Sequence, residues 1–439
     1  MDNIIPKTGF LDTLRFNLCH VVPYYLLGIF SQRPLISKLF RVFGIHPFHP
    51  KYCKNLRQRY ASDYLYTRMG FTKALLVFDV NGINQILESS PEIYGVPDLK
   101  ETGMKYFQPN SVTISDGHDW YERRQFNEFV LESANKTHSF GTNFINSIET
   151  LVKKHTTDNK APCQWRDFSN LFEQVVQQII FGESNRGNQK IFRRLMKLMS
   201  KANRIFLLRP SPAQARQDHE LRARLHAPGK HSLLSRCPHM DLNPTVEPEH
   251  QVPHWLFGIG DTLASNVVRT LLLICSHPDI EKNVLSEIRN AGELTVESID
   301  QLELLENCVQ EAMRLWPTTS LLARKMRTRD NLQGRMLAAG TTVIILNNAT
   351  HRDTDYQHDA NQFNPDRWDN SRIDYAYNHL SNGPQVCAGK NLALFLAKTI
   401  LASLLSTWKF KARNPSVSPS KPIPYINDYF SIRFRAVKL

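Results

Sequence analysis

A single cysteine near the end of the chain carries the strongest chemical signal. Residues 380–389 place Cys387 between Gly383 and Gly389, and an apolar, helix-forming run follows at 392–405. Glycines let the backbone turn tightly and approach a flat cofactor, and the first turn of a helix favours an anionic sulfur. The pattern fits a thiolate that binds the metal of a flat cofactor. Taken alone, it fits equally well an inert cysteine in a loop before a helix.

A carboxylate and two arginines form the second group. Glu311 and Arg314 lie three residues apart on one face of a predicted helix that Pro317 ends, and Arg367 follows in a loop before Cys387. One glutamate and two arginines can form a buried, bidentate network. The first pair alone is also typical of a solvated surface ion pair, which contributes only a few tenths of a kcal/mol.

The order of these motifs resembles that of the haem-thiolate monooxygenases, the cytochrome P450 family. Glu-x-x-Arg is followed by Pro-Asp-Arg-Trp at 365–368, then by Gly-x-x-x-Cys-x-Gly and a helix. The resemblance implies a mainly α fold with small β-sheets, the cytochrome P450 fold. It assigns the axial bond to the haem iron to Cys387, with haem contacts at Gly383 and Gly389. The residues that it expects to lock the core beside the haem are Glu311, Arg314 and Arg367.

A long apolar helix is predicted upstream, from about residue 253 to the His-Pro pair at 277–278. It resembles the central helix of the family, in which an acid followed by threonine serves the bound oxygen. Here that pair is Asp261 and Thr262. The threonine hydroxyl can bond to the preceding turn and open the helix, and the carboxylate can deliver protons. The alternative is that Gly258, Gly260 and Asp261 only mark a helix start.

Three further side chains are expected to hold the haem propionates. Trp120 and Arg124 lie one helical turn apart and can both donate hydrogen bonds to a carboxylate. Arg324, seven residues beyond Pro317, lies where the family places another propionate-binding arginine. Without the resemblance, Trp120 and Arg124 equally fit an amphipathic helix with a core tryptophan and a surface arginine.

Three positions depart from the family pattern. Leu380 replaces a phenylalanine near the sulfur, and Gln385 replaces an arginine that pairs with a propionate. A neutral hydrogen bond is about half as strong as a charge-assisted one, so haem retention is expected to rest on Arg124 and Arg324. Ile259 replaces a glycine close to the haem, which predicts a narrower oxygen groove.

Length and composition agree with one large domain. The motifs extend from Trp120 to Gly389 in a chain of 439 residues, so residues 46–439 are predicted to form a single catalytic domain behind an N-terminal segment, 1–45. Seven cysteines without a CxxC pair indicate free thiols in a reducing compartment and argue against a zinc site.

The net charge of +13 is dispersed along the chain, and no nucleic-acid-binding motif accompanies it. We therefore expect no nucleic-acid partner, and an acidic electron-donating protein that docks near Lys390.

Two segments lack catalytic motifs. The apolar stretch 21–30 is interrupted by Pro23 and is shorter than the roughly 20 residues of a spanning helix, which predicts at most peripheral membrane contact. An intracellular location is expected, at the surface of the endoplasmic reticulum membrane or in the cytoplasm. Prolines recur through 209–253, which predicts a loop. The resemblance implies that this loop covers the substrate pocket.

The resemblance implies a monooxygenase with haem b, supplied with electrons from NADPH through NADPH–cytochrome P450 reductase or a ferredoxin-type donor. The expected substrate is a hydrophobic small molecule, favoured to be a terpenoid or polyketide of secondary metabolism. An oxygen-independent isomerase or dehydratase is the alternative within haem chemistry. A basic, non-catalytic binding protein is the alternative from another class.

Overall fold

The chain folds mainly into helices, with small β-sheets, as predicted. The computed structural model describes residues 4–156, 160–209, 211–237, 243–369, 375–415, 417–425 and 428–439. In chain order the helices are α1 (Phe10–Phe16), α2 (Val22–Leu27), α3 (Pro34–Phe43), α4 (Pro50–Tyr60), α5 (Val80–Glu88), α6 (Asp98–Lys105), α7 (Gly117–Leu131), α8 (Gly141–His155), α9 (Trp165–Phe181), α10 (Arg186–Ala202), α11 (Pro212–His226), α12 (Leu233–Arg236), α13 (Pro248–Phe257), α14 (Ala264–Ser276), α15 (Pro278–Ala291), α16 (Val296–Asp300), α17 (Glu303–Leu315), α18 (Asn347–Thr350) and α19 (Lys390–Leu405).

Short strands build three sheets within the described residues. The largest has the order β1-β2-β7-β4-β3, in which β2 and β7 are parallel and the other neighbours are antiparallel. The pairs β5-β6 and β8-β9 form two small antiparallel sheets. The strands are β1 (Tyr64–Met69), β2 (Thr72–Val77), β3 (Tyr94–Gly95), β4 (Leu322–Met326), β5 (Asp330–Leu332), β6 (Arg335–Leu337), β7 (Thr342–Ile345), β8 (Trp408–Asn414) and β9 (Arg433–Lys438).

The main hydrophobic core lies among the helices. Helix α19 is buried along nearly its whole length, as expected for a helix that is apolar on all sides. Helices α13 and α14 are joined into one long helix by a π-helical turn, Gly258–Leu263. Among the described residues, this helix (Pro248–Ser276) is the one long and apolar enough to cross a membrane, but 78% of its most apolar window is buried inside the protein. It is therefore a core helix.

The proline-rich segment 209–253 is not the loop that its composition predicts. Helix α11 occupies Pro212–His226, and the central helix already begins at Pro248. The prediction was wrong because Pro212 and Pro248 are both at the start of a helix, where the missing N–H would have no partner in any case.

Candidate functional site

Glu311, Arg314 and Arg367 lie together in the protein interior. Glu311 and Arg314 are both fully buried in α17, and their side chains form two parallel hydrogen bonds of 2.7 Å. Nε of Arg367 approaches Oε1 of Glu311 at 3.4 Å from the 3₁₀ turn Pro365–Trp368. The three side chains therefore form a buried network in place of a solvated surface pair.

The network contains partners that the sequence motifs did not single out. The indole of Trp368 donates to Oε2 of Glu311 at 3.0 Å, and the backbone N–H of Asn364 donates to Oε1 at 3.1 Å. A second carboxylate, Asp359, accepts from Arg367 at 3.0 Å. Both arginine charges are thus matched by acids, which a buried ion network needs in order to be stable. Asp359 has no motif in the sequence that would identify it.

Hydrogen bonds connect this network to the loop before Cys387. Nη1 of Arg314 donates to the carbonyl of His351 at 2.5 Å, and Nδ1 of His351 lies 3.2 Å from the carbonyl of Arg314. Burial lowers the pKa of His351 to about 3, so its ring is neutral. Its Nε2 accepts from the backbone N–H of Asn378 at 3.0 Å, and the carbonyl of Asn378 accepts from Ser381. This series of hydrogen bonds ends at Ser381, six residues before Cys387.

The loop itself is held in one conformation. Gly383 has φ +66, and an added Cβ would overlap the backbone of Leu87, so the turn requires glycine here. The N–H of Cys387 donates to the carbonyl of Leu380 at 2.8 Å, and Ser133 donates to the carbonyl of Ala388 at 2.5 Å. These contacts fix the cysteine at a defined place before α19.

Cys387 is surrounded by protein, yet its side chain is accessible to solvent. This combination is typical of a residue that lines an internal cavity. Burial raises the pKa of its thiol, whereas the N–H of Gly389 and the charges of Arg124 and Lys390 lower it. The described residues include three further cysteines that are not fully buried but lie outside this loop: Cys19, which is exposed, and Cys163 and Cys275, which are partly buried.

Arg124 and Trp120 both lie on α7, beside this loop. Nη1 of Arg124 donates to the carbonyl of Val386 at 2.5 Å, and its Nε donates to Glu128 at 2.6 Å. Trp120 is buried and packs edge-on against Tyr121, with ring centroids 5.0 Å apart. The structure thus brings Arg124 next to the cysteine loop and makes Trp120 part of the protein interior.

Arg324 is a buried cation on β4. Its guanidinium donates to two neutral oxygens, Oγ of Ser90 at 3.3 Å and the carbonyl of Ala323 at 3.0 Å. Burial lowers its pKa to about 10, although Asp116 opposes this. Asp116 is itself paired with Arg327. Within the described residues, Arg324 therefore has no carboxylate of its own.

Lys100 on α6 is a second cation near Arg324. Burial, and next the charge of Arg324, lower the pKa of Lys100 to about 7, while Asp116 raises it. No hydrogen bond or ion pair of its side chain occurs among the described residues. The sequence motifs gave no sign of Lys100, because its position beside Arg324 depends on how α6 packs near the sheet.

Asp261 and Thr262 lie in the π-helical turn that joins α13 to α14. An opening of the helix is thus present at the predicted place, although it takes the form of a widened turn in which Ser265 donates to the carbonyl of Thr262 at 2.9 Å. Burial raises the pKa of Asp261 to about 6, and Arg269 partly opposes the shift. π-Helical turns occur often at functional sites.

One face of the central helix is more accessible than the rest. His254, Phe257, Gly258, Asp261 and Thr262 are only partly buried, whereas almost all of their neighbours are fully buried. These residues recur at intervals of three and four, so they share one helix face. A partly accessible face on a helix inside the core is expected for the wall of an internal cavity. Burial lowers the pKa of His254 to about 4, and its Nδ1 has no hydrogen-bond partner in the described part of the chain.

Ile259, which replaces a family glycine, lies off this face. Its side chain is buried in the main hydrophobic core. Gly260 allows close packing, because an added Cβ would overlap the ring of Phe192. At Gly258, in contrast, an added Cβ would meet no atom within 4 Å.

The residues near Cys387 and along this helix face fit a haem. The accessible thiol of Cys387 is a suitable iron ligand, and the guanidinium of Arg324 donates only to neutral oxygens, which a carboxylate would improve. The open space beside Gly258 leaves room for a flat group against the helix. Gln385 offers only a neutral amide, so the charged partners available are Arg124 and the pair Arg324 and Lys100.

Comparisons with known proteins agree with this site. A family model described as Cytochrome P450 matches residues 32–215 and 247–425. Cytochrome P450 4V2 of Rattus norvegicus is 32% identical over 164 residues, 35% of this chain and 31% of that protein. Cytochrome P450 4c3 of Drosophila melanogaster is 29% identical over 172 residues, 37% of this chain and 32% of that protein. The matches thus span about a third of the length of these curated relatives.

A solved structure has the same fold. The retinoic acid-bound cyanobacterial CYP120A1 superposes with a TM-score of 0.70 at 19% identity, over 89% of this chain and 94% of that one. Because the family model covers both the motifs around Cys387 and most of the remaining chain, this protein belongs to the cytochrome P450 family.

Proposed function

We propose that this chain is a haem-thiolate monooxygenase that oxidises a hydrophobic small molecule, and that the sulfur of Cys387 would hold the haem iron. The observation that carries the proposal is the accessible thiol of Cys387 in a loop held by Gly383 and Arg124. Haem b bound there supplies the activation of dioxygen and the oxidation of a substrate C–H bond.

Arg124, Trp120 and Arg324 are proposed to hold the two propionates. Arg324 supports this because its buried charge lacks a carboxylate among the described residues, and a propionate would provide one. Gly383 and Gly389 are proposed to let the backbone approach the haem face. The network of Glu311, Arg314 and Arg367 is proposed to hold the preceding segment in place through His351.

Asp261 and Thr262 are proposed to supply protons. A carboxyl with a pKa of about 6 is present in both protonation states near neutral pH, so it can release a proton and recover it. The hydroxyl of Thr262 is adjacent in the same widened turn and can relay that proton.

The substrate is proposed to be a hydrophobic small molecule. Aromatic side chains near the accessible helix face support this: Phe107 contacts Phe257 and Phe30 at ring-centroid distances of 6.1 and 5.6 Å. We favour a terpenoid or polyketide of secondary metabolism as the substrate, as the apolar lining predicts.

Electrons are proposed to come from NADPH through a reductase or a ferredoxin-type protein. Lys390 is exposed at the first position of α19, three residues from Cys387, which supports docking of an acidic partner there. We also propose that the N-terminal helices contact a membrane peripherally, at the endoplasmic reticulum, with a cytoplasmic location as the alternative.

The decisive experiment is the spectrum of the reduced protein with carbon monoxide. We expect the long-wavelength Soret band of thiolate-ligated haem in the wild type and in Cys163→Ala, and its loss in Cys387→Ala. A purified, intact protein without haem or without this band would contradict the proposal and favour a binding protein.

A second experiment tests proton delivery. With reductase and substrate present, Thr262→Ala is expected to divert electrons from product into peroxide. Thr270→Ala is the control, because its hydroxyl bonds within α14 to the carbonyl of Asn266 at 2.8 Å. Unchanged coupling in Thr262→Ala would remove its role, and turnover without NADPH would favour an isomerase or dehydratase.

A further inference from the structure

The first helical segment carries an apolar stripe that faces away from the protein. Helices α1 and α2 are joined by the π-helical turn Asn17–Val21 into one continuous helix. Every fourth residue along it is an exposed apolar side chain, with exposed fractions between 44% and 80%. These residues are Phe10, Leu14, Leu18, Val22 and Leu26.

The opposite face of this helix is anchored in a hydrophobic core. Phe16 and Val21 are buried in a cluster with Leu65 and Ala74 of the large sheet. The helix is therefore held in place with its stripe outward, and the stripe is not a product of fraying. Single exposed apolar residues are common, but a row of five is not.

Three neighbouring elements extend this surface. Helix α3 packs beside α2 and exposes apolar residues at intervals of three and four. Phe71, which is 99% exposed, projects from the β1–β2 turn, which is held to the first helix because Gly70 donates to Asn17 at 2.7 Å. The exposed residues on α3 are Leu35, Leu39, Val42 and Phe43.

The turn after α10 brings the last two apolar residues to the same surface. Phe206 and Leu207 are both more than three-quarters exposed. The ring of Phe206 lies 6.4 Å from that of Tyr25 on α2, and Asn203 donates to the carbonyl of Ser31 at 2.7 Å. We call this combined surface of α1–α3, Phe71, Phe206 and Leu207 the apolar face.

A basic cleft opens beside the apolar face, between α1 and α4. It has a volume of about 270 Å³. Its one carboxylate, Asp12, is already bonded to Arg59 at 2.6 Å and to Tyr60 at 2.8 Å. The lining residues are Asp12, Arg15, His49, Lys51, Tyr52, Asn55, Leu56 and Arg59.

Two cations in this cleft have no acidic partner within the described ranges. The guanidinium of Arg15 lies over the ring of Tyr52 at 5.6 Å, and Lys51 is exposed at the start of α4. Arg15 also borders the stripe, since it follows Leu14 and is one turn from Leu18. The cleft thus offers unmatched positive charge at the edge of an apolar surface.

We propose that the cleft binds the headgroup phosphate of an anionic lipid in the membrane that the apolar face contacts. The inference deepens the membrane contact proposed above and rests on it. Arginine and lysine suit a phosphate, and the side-chain amide of Asn55 adds a neutral donor. Amphipathic helices that lie in a membrane interface combine an apolar side with flanking cations in this way.

The surrounding charge favours an anionic bilayer over a protein partner. Lys38, Arg68 and Lys73 are exposed near the apolar face, and none has an acidic partner among the residues that the structure describes. Cations near a membrane surface each contribute about 1 kcal/mol of attraction to anionic lipids. Apolar residues that project from four separate elements suit insertion into a soft interface.

The test is co-sedimentation of the full chain with vesicles of phosphatidylcholine, with and without phosphatidylserine. We expect stronger binding to the anionic vesicles, and no displacement by inorganic phosphate at matched ionic strength. Equal binding to both vesicles would overturn the headgroup site, and no binding to either would overturn the membrane contact itself. Displacement by inorganic phosphate would identify the cleft as a free-phosphate site and also overturn the proposal.

Two double variants test the basic cleft and the apolar face separately. Arg15→Gln with Lys51→Gln is expected to weaken binding to anionic vesicles about 10- to 30-fold and to leave binding to neutral vesicles unchanged. Phe71→Ser with Phe206→Ser is expected to weaken binding to both. The controls are Lys197→Gln with Lys282→Gln, and Met336→Ser with Val437→Ser, which are exposed on other elements. Loss of binding in the controls to the same extent would contradict the proposal. The carbon monoxide spectrum, expected to be unchanged in all four, tests haem ligation separately.

Discussion

Two groups of buried charge differ in how completely their charges are paired. Around Glu311, both carboxylate oxygens accept bonds from arginine, tryptophan and backbone donors, and the second acid Asp359 pairs with Arg367. Around Arg324, the guanidinium donates to two neutral oxygens, and the nearby Lys100 has no acidic partner in the described ranges. The charges around Glu311 are therefore balanced, whereas the group around Arg324 has an excess of positive charge.

The difference distinguishes a structural site from a ligand site. In a complete buried ion network, removal of any one member leaves a buried charge without its partner and destabilises the protein. A buried cation without an anion is unfavourable unless a ligand supplies the missing charge. The two groups therefore predict opposite responses when one charge is removed from each.

The largest effect is expected at Glu311. Glu311→Gln leaves two buried arginines without their shared carboxylate, and we expect a loss of about 3–5 kcal/mol in the free energy of unfolding. Denaturant unfolding measures this. Glu303→Gln, exposed on the same helix, is the matched control and should change stability by less than about 0.5 kcal/mol. Equal effects in the two variants would contradict the structural role of the network.

Gly383 is expected to give the next largest effect. Gly383→Ala combines positive φ with overlap on the backbone of Leu87, so we expect destabilisation by about 2–3 kcal/mol. At Gly389 an added Cβ would have its nearest neighbour in the described chain at 3.7 Å, an ordinary contact. Gly389→Ala should therefore leave the stability of the haem-free protein nearly unchanged and weaken haem binding. If haem binding were unaffected, Gly389 would not contact the haem.

For Arg324→Gln we expect the opposite effect on protein stability to that of Glu311→Gln. Removing an unpaired buried charge should leave the haem-free protein as stable as the wild type or more stable. Because a charge-assisted hydrogen bond contributes about 1.5–3 kcal/mol, haem should dissociate roughly 10- to 100-fold faster. Haem transfer to apomyoglobin measures this rate. Arg327→Gln, which affects a cation already paired with Asp116, is the control. Unchanged haem loss in Arg324→Gln would remove its propionate role.

The smallest expected effect is the pH dependence of stability that arises from Asp261. The pKa of Asp261 is raised by burial from 3.8 to about 6, so the folded protein binds this proton more tightly than the unfolded chain. Stability from this group is therefore present below about pH 4 and is lost as the pH rises to about 6. Asp261→Asn should lack this loss, which we expect to be about 1–2 kcal/mol for a partly accessible group. Unfolding at pH 4, 5, 6 and 7 measures it. Asp279→Asn, on the surface, should follow the wild type.

Local motifs predicted much of the fold and the positions that the site brings together. The spacing of Glu311 and Arg314 and the position of Arg367 predicted a buried network, and the three side chains are in contact. The widened turn at Asp261 and Thr262 lies where a helix opening was predicted. These contacts follow local patterns because each motif depends on neighbours only a few residues away or on a family spacing. The catalytic and haem-binding roles of these residues remain proposals.

Other features depended on contacts between distant parts of the chain. Composition predicted a loop at 209–253, but α11 forms there because its apolar and polar residues find partners on α10 and α13. Lys100 had no motif, and it becomes relevant only because α6 lies close to Arg324. Asp359 joins the network in the same way, through a loop that the motif at 365–368 does not include.

The sequence by itself determined the ligand candidate, the order of the motifs and the mainly helical fold, because glycine, proline and charge spacing act over one or two helical turns. The tertiary structure alone decided which charges are matched and which are left unpaired. It also decided that the apolar side chains of α1 to α3 form one surface with Phe71 and Phe206. Pairing and exposure depend on what a fold brings together from far along the chain, and no local pattern contains that information.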